Sequence, residues 1–361
     1  MGEKTQKKTG LLLLNMGGPD SLDAVQPFLF NLFSDPDIIK LPLSAVFQKP
    51  LAYRISTKRE KEAQANYAIM GGASPILKYS LGQAELLAQA LNDRGYGKLP
   101  AYVAMRYWHP FTDKVLNQIL ADKIERLVVI PLYPHFSFTT TGSSLNELRR
   151  VMTEKKVAIE LDVVPCYYDH PKYIKALAEN IESGLSGNEW GCKRDEVTLV
   201  YSAHSLPMRH IKSTQDPYPD QIYETVKQVS EQYFPDNPWE LAYQSQVGKM
   251  PWLGPSTEGI LHYFSGVEQD NLLMIAVSFV SDHVETLVEI DQEYIPLANE
   301  LEIQYCKRAP ALNVNASFIE ALADIAADRL DALNDNTPLP TVVPEFKSLL
   351  KNVRHPSLSL T

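Results

Sequence analysis

Two stretches of the sequence decide the fold: Val197-Thr198-Leu199-Val200-Tyr201-Ser202-Ala203-His204 and Ile275-Ala276-Val277-Ser278-Phe279-Val280. Each is an apolar run containing β-branched residues, which is typical of a buried parallel strand. Because α/β proteins bind ligands beyond the carboxyl ends of such strands, we expect His204 to face a crevice. Glu285 follows the second run and is expected at the same edge. An imidazole beside a carboxylate suits a divalent metal ion, proton transfer, or both.

Short apolar runs alternate with helical patterns along most of the chain, which predicts parallel sheets with right-handed crossovers. Helical spacing of apolar residues is clear in residues 83–93 and 173–183. The expected strands are residues 11–15, 101–106, 127–132, 159–164, 197–203, 240–245, 272–280 and 302–306.

We therefore expect an α/β protein with two Rossmann-like domains, each a parallel four-stranded sheet flanked by helices. One eight-stranded sheet is the alternative, but residues 166–194 hold a long helix and a glycine-containing loop suited to bridging two domains. The expected units are an N-terminal domain (1–170), a C-terminal domain (171–315), an amphipathic helix (316–335) and a proline-containing tail (336–361). One face of the helix carries Phe318, Leu322, Ala326, Leu330 and Leu333.

The 361 residues carry a formal net charge of -10, and 45% of them are hydrophobic, as in ordinary globular proteins. We expect no binding to nucleic acid, because a polyanion repels such a chain. The apolar runs are too short to span a bilayer. The lysine-rich residues 1–10 and the short apolar run after them lack the pattern of a signal peptide, so we expect a cytoplasmic location.

The three cysteines are Cys166, Cys192 and Cys306. Their number is odd, they lie far apart, and they form no C-x-x-C pair. This pattern argues against a disulfide framework and against a cysteine-rich zinc site. We expect them to be small, partly buried residues.

Four acidic residues follow the second strand run at spacings of three, four and four: Asp282, Glu285, Glu289 and Glu293. On a helix they share one face, where like charges repel. A solvated acidic face is one interpretation. A pocket lining is the other, and there the coupled carboxylates would have raised pKa values and could pass protons or divalent cations. Two ligands, His204 and Glu285, would hold an ion loosely enough for delivery.

Residues 41–70 differ from the rest of the chain. Apolar residues from Leu41 to Ile55 precede the charged run Lys58-Arg59-Glu60-Lys61. One interpretation is a helical hairpin packed on the core. The other is a flap at the mouth of the crevice, whose apolar and basic side meets a membrane surface or a hydrophobic ligand.

Three further motifs each allow two interpretations. Residues 15–19, Asn-Met-Gly-Gly-Pro, form either a phosphate cradle or, as we favour, a tight turn that needs glycine. Residues 139–144 begin a helix that either binds an anion or is simply capped. The aromatic residues within 106–111 and 243–252 are either core or the lining for a large flat apolar ligand.

Taken together, these motifs resemble those of the ferrochelatase family, in the family's order from about residue 10 to residue 330. The matching segments are residues 12–19 (LLLNMGGP), 74–76 (SPI), 105–107 (MRY), 133–135 (YPH), 140–144 (TTGSS), 202–207 (SAHSLP), 243–255 (YQSQVG and PWLGP) and 281–291 (SDHVETLVEID). The resemblance implies insertion of Fe2+ into protoporphyrin IX, with release of two protons and formation of protoheme. It also implies two Rossmann-like domains with the porphyrin in the cleft between them.

The resemblance also implies roles for individual residues. His204 and Glu285 match the catalytic and metal-site pair, and Asp282, His283, Glu289 and Glu293 match the surrounding path for protons or metal. The positions that match porphyrin contacts are Met16, Arg59, Tyr67, Ser74, Arg106, Tyr107 and Trp252. Residues 41–70 match the family's lip, which favours the membrane-facing interpretation and predicts peripheral contact at the inner membrane.

The sequence departs from the family pattern at two places in the lip and the loop after it. Ala73 replaces a glycine, and Glu62 stands where some relatives have lysine, so the propionate contacts here are the least secure part of the comparison. The tail lacks the cysteines that bind [2Fe-2S] in animal relatives, so we expect no cluster and no cofactor beyond substrate Fe2+. Met16, where coproporphyrin-using relatives tend to have tyrosine, favours protoporphyrin.

Three other functions compete with this interpretation. Within the class, a coproporphyrin or cobalt-type chelatase is the alternative. A porphyrin or heme carrier without chemistry would need the aromatic pocket. It would not need the acidic stripe, that is, Asp282, Glu285, Glu289 and Glu293. A periplasmic ligand-binding protein would share the two-lobed fold but would need a signal peptide.

Overall fold

Eight parallel strands form two separate four-stranded sheets in this computed structural model, which describes residues 7–39 and 44–335. The first sheet has the order β2-β1-β3-β4 and the second the order β6-β5-β7-β8. The strands are β1 (Thr9–Asn15), β2 (Ala101–Met105), β3 (Arg126–Pro131), β4 (Glu160–Val163), β5 (Thr198–His204), β6 (Trp239–Gln244), β7 (Asn271–Ala276) and β8 (Tyr305–Arg308). The prediction of two flanked four-stranded sheets is confirmed.

Helices connect and cover the strands. The α-helices are α1 (Val25–Phe33), α2 (Ser44–Ile69), α3 (Ile76–Leu91), α4 (Thr112–Ala121), α5 (Ser143–Lys155), α6 (Pro171–Ser186), α7 (Met208–Thr214), α8 (Tyr218–Tyr233), α9 (Thr257–Gly266), α10 (Ile295–Glu300) and α11 (Ala316–Asp335). Asn92–Tyr96, Phe138–Gly142 and Glu285–Tyr294 are π-helical, and Arg194–Glu196 is a 3-10 turn. No helix in the described ranges is long and apolar enough to cross a membrane.

The two sheets share their largest apolar cluster. It contains Leu11 and Val128 from the first sheet together with Leu199 and Leu273 from the second. Smaller clusters lie on the outer face of each sheet. The central strands β1 and β5 are therefore buried on both faces, which explains their unbroken apolar runs.

Helix α11 lies against α3 of the first half and α6 of the second. Phe318, Leu322 and Ala326 are fully buried on the predicted face, and Ala321 and Ala323 are fully buried beside them. Because alanine side chains are small, α11 packs closely between α3 and α6. Residues on more than one face of this helix are therefore buried.

Most predicted strand ends lie within two residues of the observed ones, but two ends were wrong by three residues or more. Strand β7 ends at Ala276 rather than at residue 280, because the chain turns there and the Ser278 hydroxyl accepts a hydrogen bond from the His204 backbone N–H at 3.0 Å. Strand β8 begins at Tyr305 rather than at residue 302, because Glu302 adopts a positive φ of 63° in the turn after α10.

One of the two interpretations of residues 41–70, a helical hairpin, is wrong in its form: residues 44–69 are one long helix, α2, with Pro50 inside it. The hairpin is made by α2 and α1, which pack against each other. Val46, Phe47 and Tyr53 of α2, which belong to the segment 41–70 called the lip above, are exposed. Leu41, Leu43 and the tail 336–361 lie outside the described residues.

Candidate active site

His204 is the last residue of β5, at the carboxyl edge of the second sheet, where it pairs in register with Gln244 of β6. Its Nδ1 lies 2.7 Å from Glu285 Oε2. Its Nε2 has no hydrogen-bond partner among the described residues, and 37% of the side-chain surface is exposed. The imidazole is therefore held at one nitrogen and open at the other.

The two side chains of this pair shift each other's pKa. Burial by itself would lower the pKa of His204, but the negative charge and hydrogen bond of Glu285 outweigh it and raise that pKa above 6.5. Burial by itself would raise the pKa of Glu285, but the charge and hydrogen bond of His204 outweigh it and lower that pKa. The pair is therefore an imidazolium–carboxylate ion pair over the pH range between the two values.

Glu285 begins a ten-residue π-helix, and Glu289 lies on the same side of it. The Ser245 backbone N–H donates to Glu289 Oε1 at 2.6 Å, and the Ser245 hydroxyl reaches Glu289 Oε2 and Glu285 Oε2, the latter at 2.9 Å. Gln244 Nε2 donates to Glu289 Oε2 at 2.9 Å and to the Glu285 carbonyl at 3.0 Å. One loop after β6 therefore fixes both carboxylates.

Sequence reasoning missed Gln244 and Ser245 as individual site residues, although their motif was noted. Ser245 has a φ of 65°, a left-handed conformation that is uncommon outside glycine. Such local strain is concentrated at functional sites, and here it turns both donors of Ser245 toward Glu289. A strand end that runs directly into polar residues was the signal that could have found them.

The acidic stripe separates into three environments. Burial and the charge of Glu285 raise the pKa of Glu289. Glu293 is exposed, and partial burial and the charge of Glu62 raise its pKa. Asp282 precedes the helix, and its carboxylate accepts from Arg308 Nη1 at 3.1 Å and Asn313 Nδ2 at 2.8 Å. The structure thus places Asp282 off the face that Glu285 and Glu289 share.

His283 is 5% exposed, and neither ring nitrogen has a hydrogen-bond partner among the described residues. Its Nε2 is 3.9 Å from Glu285 Oε1, and its ring lies 4.4 Å from that of Phe279, centroid to centroid. Burial lowers the pKa of His283, whereas Glu285 raises that of His204. In the pH range between the two pKa values, His283 is therefore neutral and His204 is charged.

Six of the seven predicted porphyrin contacts lie in the first half of the chain, and four of them gather around the turn after β1 and the helix α2. Met16, Tyr67 and Tyr107 share one apolar cluster with Val284, the residue before Glu285. Burial raises the pKa of Tyr67, and the charge of Glu285 raises it further, so Tyr67 of α2 lies near the His204–Glu285 pair. Ser74 packs against the turn after β1, where a Cβ on Gly18 would lie 2.5 Å from Ser74 Oγ. Gly17 has a φ of 83°, so this is a tight turn that requires glycine.

Arg106 and Tyr107 have their polar ends engaged inside the protein. Buried Asp35 accepts hydrogen bonds from the Tyr107 hydroxyl at 2.7 Å and from the Ser143 hydroxyl, and it forms an ion pair with Arg106 Nη2 at 3.0 Å. A carboxylate of the protein thus lies at the start of α5. A second one, Asp216, accepts from the Phe138 N–H at 3.0 Å. These contacts favour the capping interpretation of residues 139–144.

The remaining two predicted contacts lie on different elements, Arg59 on α2 and Trp252 in the loop after β6. The Arg59 guanidinium lies 5.8 Å from the centre of the Phe33 ring. Trp252 is half-buried in the loop after β6, where its Nε1 donates to the Val247 carbonyl at 3.1 Å. Among the described residues, no group of three or more His, Cys, Asp or Glu side chains is arranged to hold a metal ion.

Two parallel four-stranded sheets with a histidine–glutamate pair at one carboxyl edge make this a two-lobed α/β protein with a candidate site at the strand ends. Two solved structures share the fold: SirB from Bacillus subtilis with Fe3+ (TM-score 0.53, 10% identity, covering 91% of this chain and 98% of that one), and the sirohydrochlorin chelatase SirB from B. subtilis subspecies spizizenii with cobalt (TM-score 0.52, 8% identity, 91% and 98%). At these identities the likeness concerns the fold alone.

A model of the ferrochelatase family matches residues 8–330. Ferrochelatase from Synechocystis sp. is 42% identical over 346 residues, covering 95% of this chain and 87% of the relative. Ferrochelatase from Picosynechococcus sp. is 43% identical over 326 residues, covering 90% and 83%. The chain belongs to the ferrochelatase family, as its motifs indicated.

Proposed function

We propose that this protein inserts Fe2+ into protoporphyrin IX and so forms protoheme, the last step of heme biosynthesis. The observation that carries the proposal is the His204–Glu285 pair, joined at 2.7 Å and open at His204 Nε2. It lies in a chain that matches the ferrochelatase family over residues 8–330. Neither a coproporphyrin chelatase nor a carrier without chemistry is favoured by these findings.

In this proposal the neutral form of His204, which carries a lone pair on Nε2, acts together with Glu285 to receive the metal ion and a pyrrole proton. His204 Nε2 is the open nitrogen, and Glu285 stabilises positive charge on the ring, whether the charge comes from the ion or from the proton. His283 stays neutral beside them. Glu289 and then Glu293 continue the path toward solvent, whereas Asp282 serves it by anchoring the helix.

The porphyrin lies against Met16, Tyr67, Tyr107 and Trp252 in this proposal, with Arg59, Ser74 and Arg106 nearer its polar edge. Burying vinyl groups against apolar side chains is favourable by roughly 25 cal/mol per Å2. The two further carboxylates of coproporphyrin would lose water there without evident partners, which is costly. We therefore propose a preference for protoporphyrin.

Anaerobic incubation of the purified protein with Fe2+ and each porphyrin, followed by absorbance, tests the function. Turnover of protoporphyrin with the higher kcat/KM is expected. A higher kcat/KM for coproporphyrin would overturn the substrate but not the chemistry. Binding of porphyrin with no metallation by Fe2+ would leave only the carrier.

The lip is proposed to meet the inner face of a membrane, where protoporphyrin is dissolved in lipid. Phe47 is 54% exposed and Tyr53 62%, and Lys49, Arg54 and Lys58 follow on the same helix. Exposed apolar side chains among basic ones bind anionic lipid surfaces. Phe47→Asp is expected to reduce flotation with vesicles containing phosphatidylglycerol. Tyr263→Asp, an equally exposed site on α9, is the control; equal loss in both variants would count against the lip.

The purified protein is proposed to carry no iron–sulfur cluster. Such a cluster takes about four thiolates, and the chain has three cysteines. Labile sulfide in stoichiometric amount after anaerobic purification would contradict this.

A further inference from the structure

Arg308, at the end of β8, makes three hydrogen bonds to two aspartates. Its Nε and Nη2 donate to the two carboxylate oxygens of Asp291 at 2.7 and 2.9 Å. Its Nη1 donates to Asp282 Oδ1 at 3.1 Å. The Arg308 side chain is 13% exposed, Asp282 14% and Asp291 27%. Arg308 and Asp291 thus form a bidentate ion pair, and the bond to Asp282 is a third contact. The three side chains are largely shielded from water, and a bidentate pair is the strong form of an arginine–carboxylate contact.

The two aspartates lie on either side of the metal-site carboxylates in the sequence. Asp282 comes three residues before Glu285, and Asp291 comes two residues after Glu289. Glu285 and Glu289 form hydrogen bonds with His204, Gln244 and Ser245. Arg308 is hydrogen-bonded to none of these five residues. One guanidinium therefore holds both ends of the segment whose other side forms the site.

The segment needs such support because it is π-helical. Bonds from residue i to i+5 are rare and are mostly found as single turns, yet this run covers ten residues. Asp282 is itself fixed, since its backbone N–H donates to Asn313 Oδ1 at 2.8 Å. The Gln83 side chain of α3 in turn donates to the Asn313 carbonyl at 2.6 Å. The anchor at this end thus reaches into the first half of the protein.

We propose that Arg308 is a positioning residue for metal insertion: by joining Asp282 to Asp291 it keeps Glu285 and Glu289 in register with His204 and Ser245. It touches no substrate itself. The inference rests on the proposed roles of His204 and Glu285. Misplacing Glu285 would harm the handling of the ion, whereas the porphyrin face built by the first half would remain as it is.

Arg308→Lys tests the proposal, because lysine keeps the charge but loses the planar pair of donors. We expect kcat to fall about 10-fold and the KM for the metal ion to rise several-fold, since small misplacements of reacting groups have effects of this order. The KM for protoporphyrin should stay within about twofold of wild type. Asp291→Asn should show the same split, and the double variant should be no worse than the poorer single variant.

Arg329→Lys is the matched control. Arg329 Nη1 bonds Asp162 Oδ1 at 3.2 Å, with side chains 15% and 16% exposed, far in sequence from the site helix. It should lower the melting temperature and leave both KM values and kcat unchanged. An equal loss of kcat in Arg329→Lys, or a wild-type metal KM in both Arg308→Lys and Asp291→Asn, would overturn the inference alone. A wild type that metallates no porphyrin, or full activity in His204→Ala, would instead overturn the proposed function.

Discussion

At the scale of single residues, His204 carries the clearest prediction. His204→Ala removes the open nitrogen and the partner of Glu285, so kcat for metallation should fall by roughly 100-fold or more. The fold should persist, because the ring lies at a strand end and not in the core. Absorbance assays of metal insertion, together with circular dichroism, would measure both effects. Turnover near the wild-type rate would remove His204 from the mechanism.

A second prediction compares two carboxylates of the acidic stripe. Glu285→Gln keeps the size of the side chain and removes the charge beside His204, so it should reduce kcat far more than Glu293→Gln. Glu293 is exposed and makes no recorded bond to His204. Steady-state kinetics of the two variants decide the matter. Equal and mild effects would mean that the stripe is only a solvated face.

A third prediction concerns protonation. The pKa of His204 should lie above 6.5 in the wild type and should fall in Glu285→Gln, because the carboxylate is what raises it. The His204 charge therefore stabilises the fold below about pH 6.5, and this contribution is lost as the pH rises through the raised value. The negative charge of Glu285 stabilises the fold above about pH 4.5, and this contribution is lost as the pH falls through the lowered pKa of Glu285. Titration of the imidazole by NMR would measure the shift; an unchanged His204 pKa in the variant would contradict it.

At the scale of elements, α11 should be a principal source of stability. Leu322 is fully buried on this helix between the two halves. Leu322→Ala should cost about 2–5 kcal/mol in the free energy of unfolding, as deletions in close-packed cores do. Asp328→Ala, on the exposed side of the same helix, is the control and should change little. Urea denaturation of both variants makes the comparison.

The helices and strands also show which features of the structure could be predicted from the sequence and which could not. All eight strands could be predicted: the central ones because a strand buried on both faces must be apolar throughout, and the partly exposed edge strands β4, β6 and β8 because the β–α alternation requires a strand there. The end of β7 could not, since Val277 and Val280 are apolar for packing under a turn rather than in a strand. The acidic spacing placed Glu285 and Glu289 together, but spacing alone does not separate an α-helix from a π-helix. The spacing also does not reveal that Arg308, at the end of β8, binds Asp282 and holds it off the face that Glu285 and Glu289 share.

At the scale of the whole molecule, the apolar cluster shared by the two sheets makes the halves energetically inseparable. Leu11 and Val128 of the first sheet belong to the same buried core as Leu199 and Leu273 of the second. Separating the sheets would therefore expose a hydrophobic core to water, which is unfavourable. Calorimetry should therefore record a single cooperative transition for this chain, and two resolved transitions would contradict this. The shared core argues against a hinge between the sheets. Under the proposed function, we therefore expect the entry of porphyrin and the release of product to depend on local motion of α1, α2 and the loop after β6, with the slow step of turnover there.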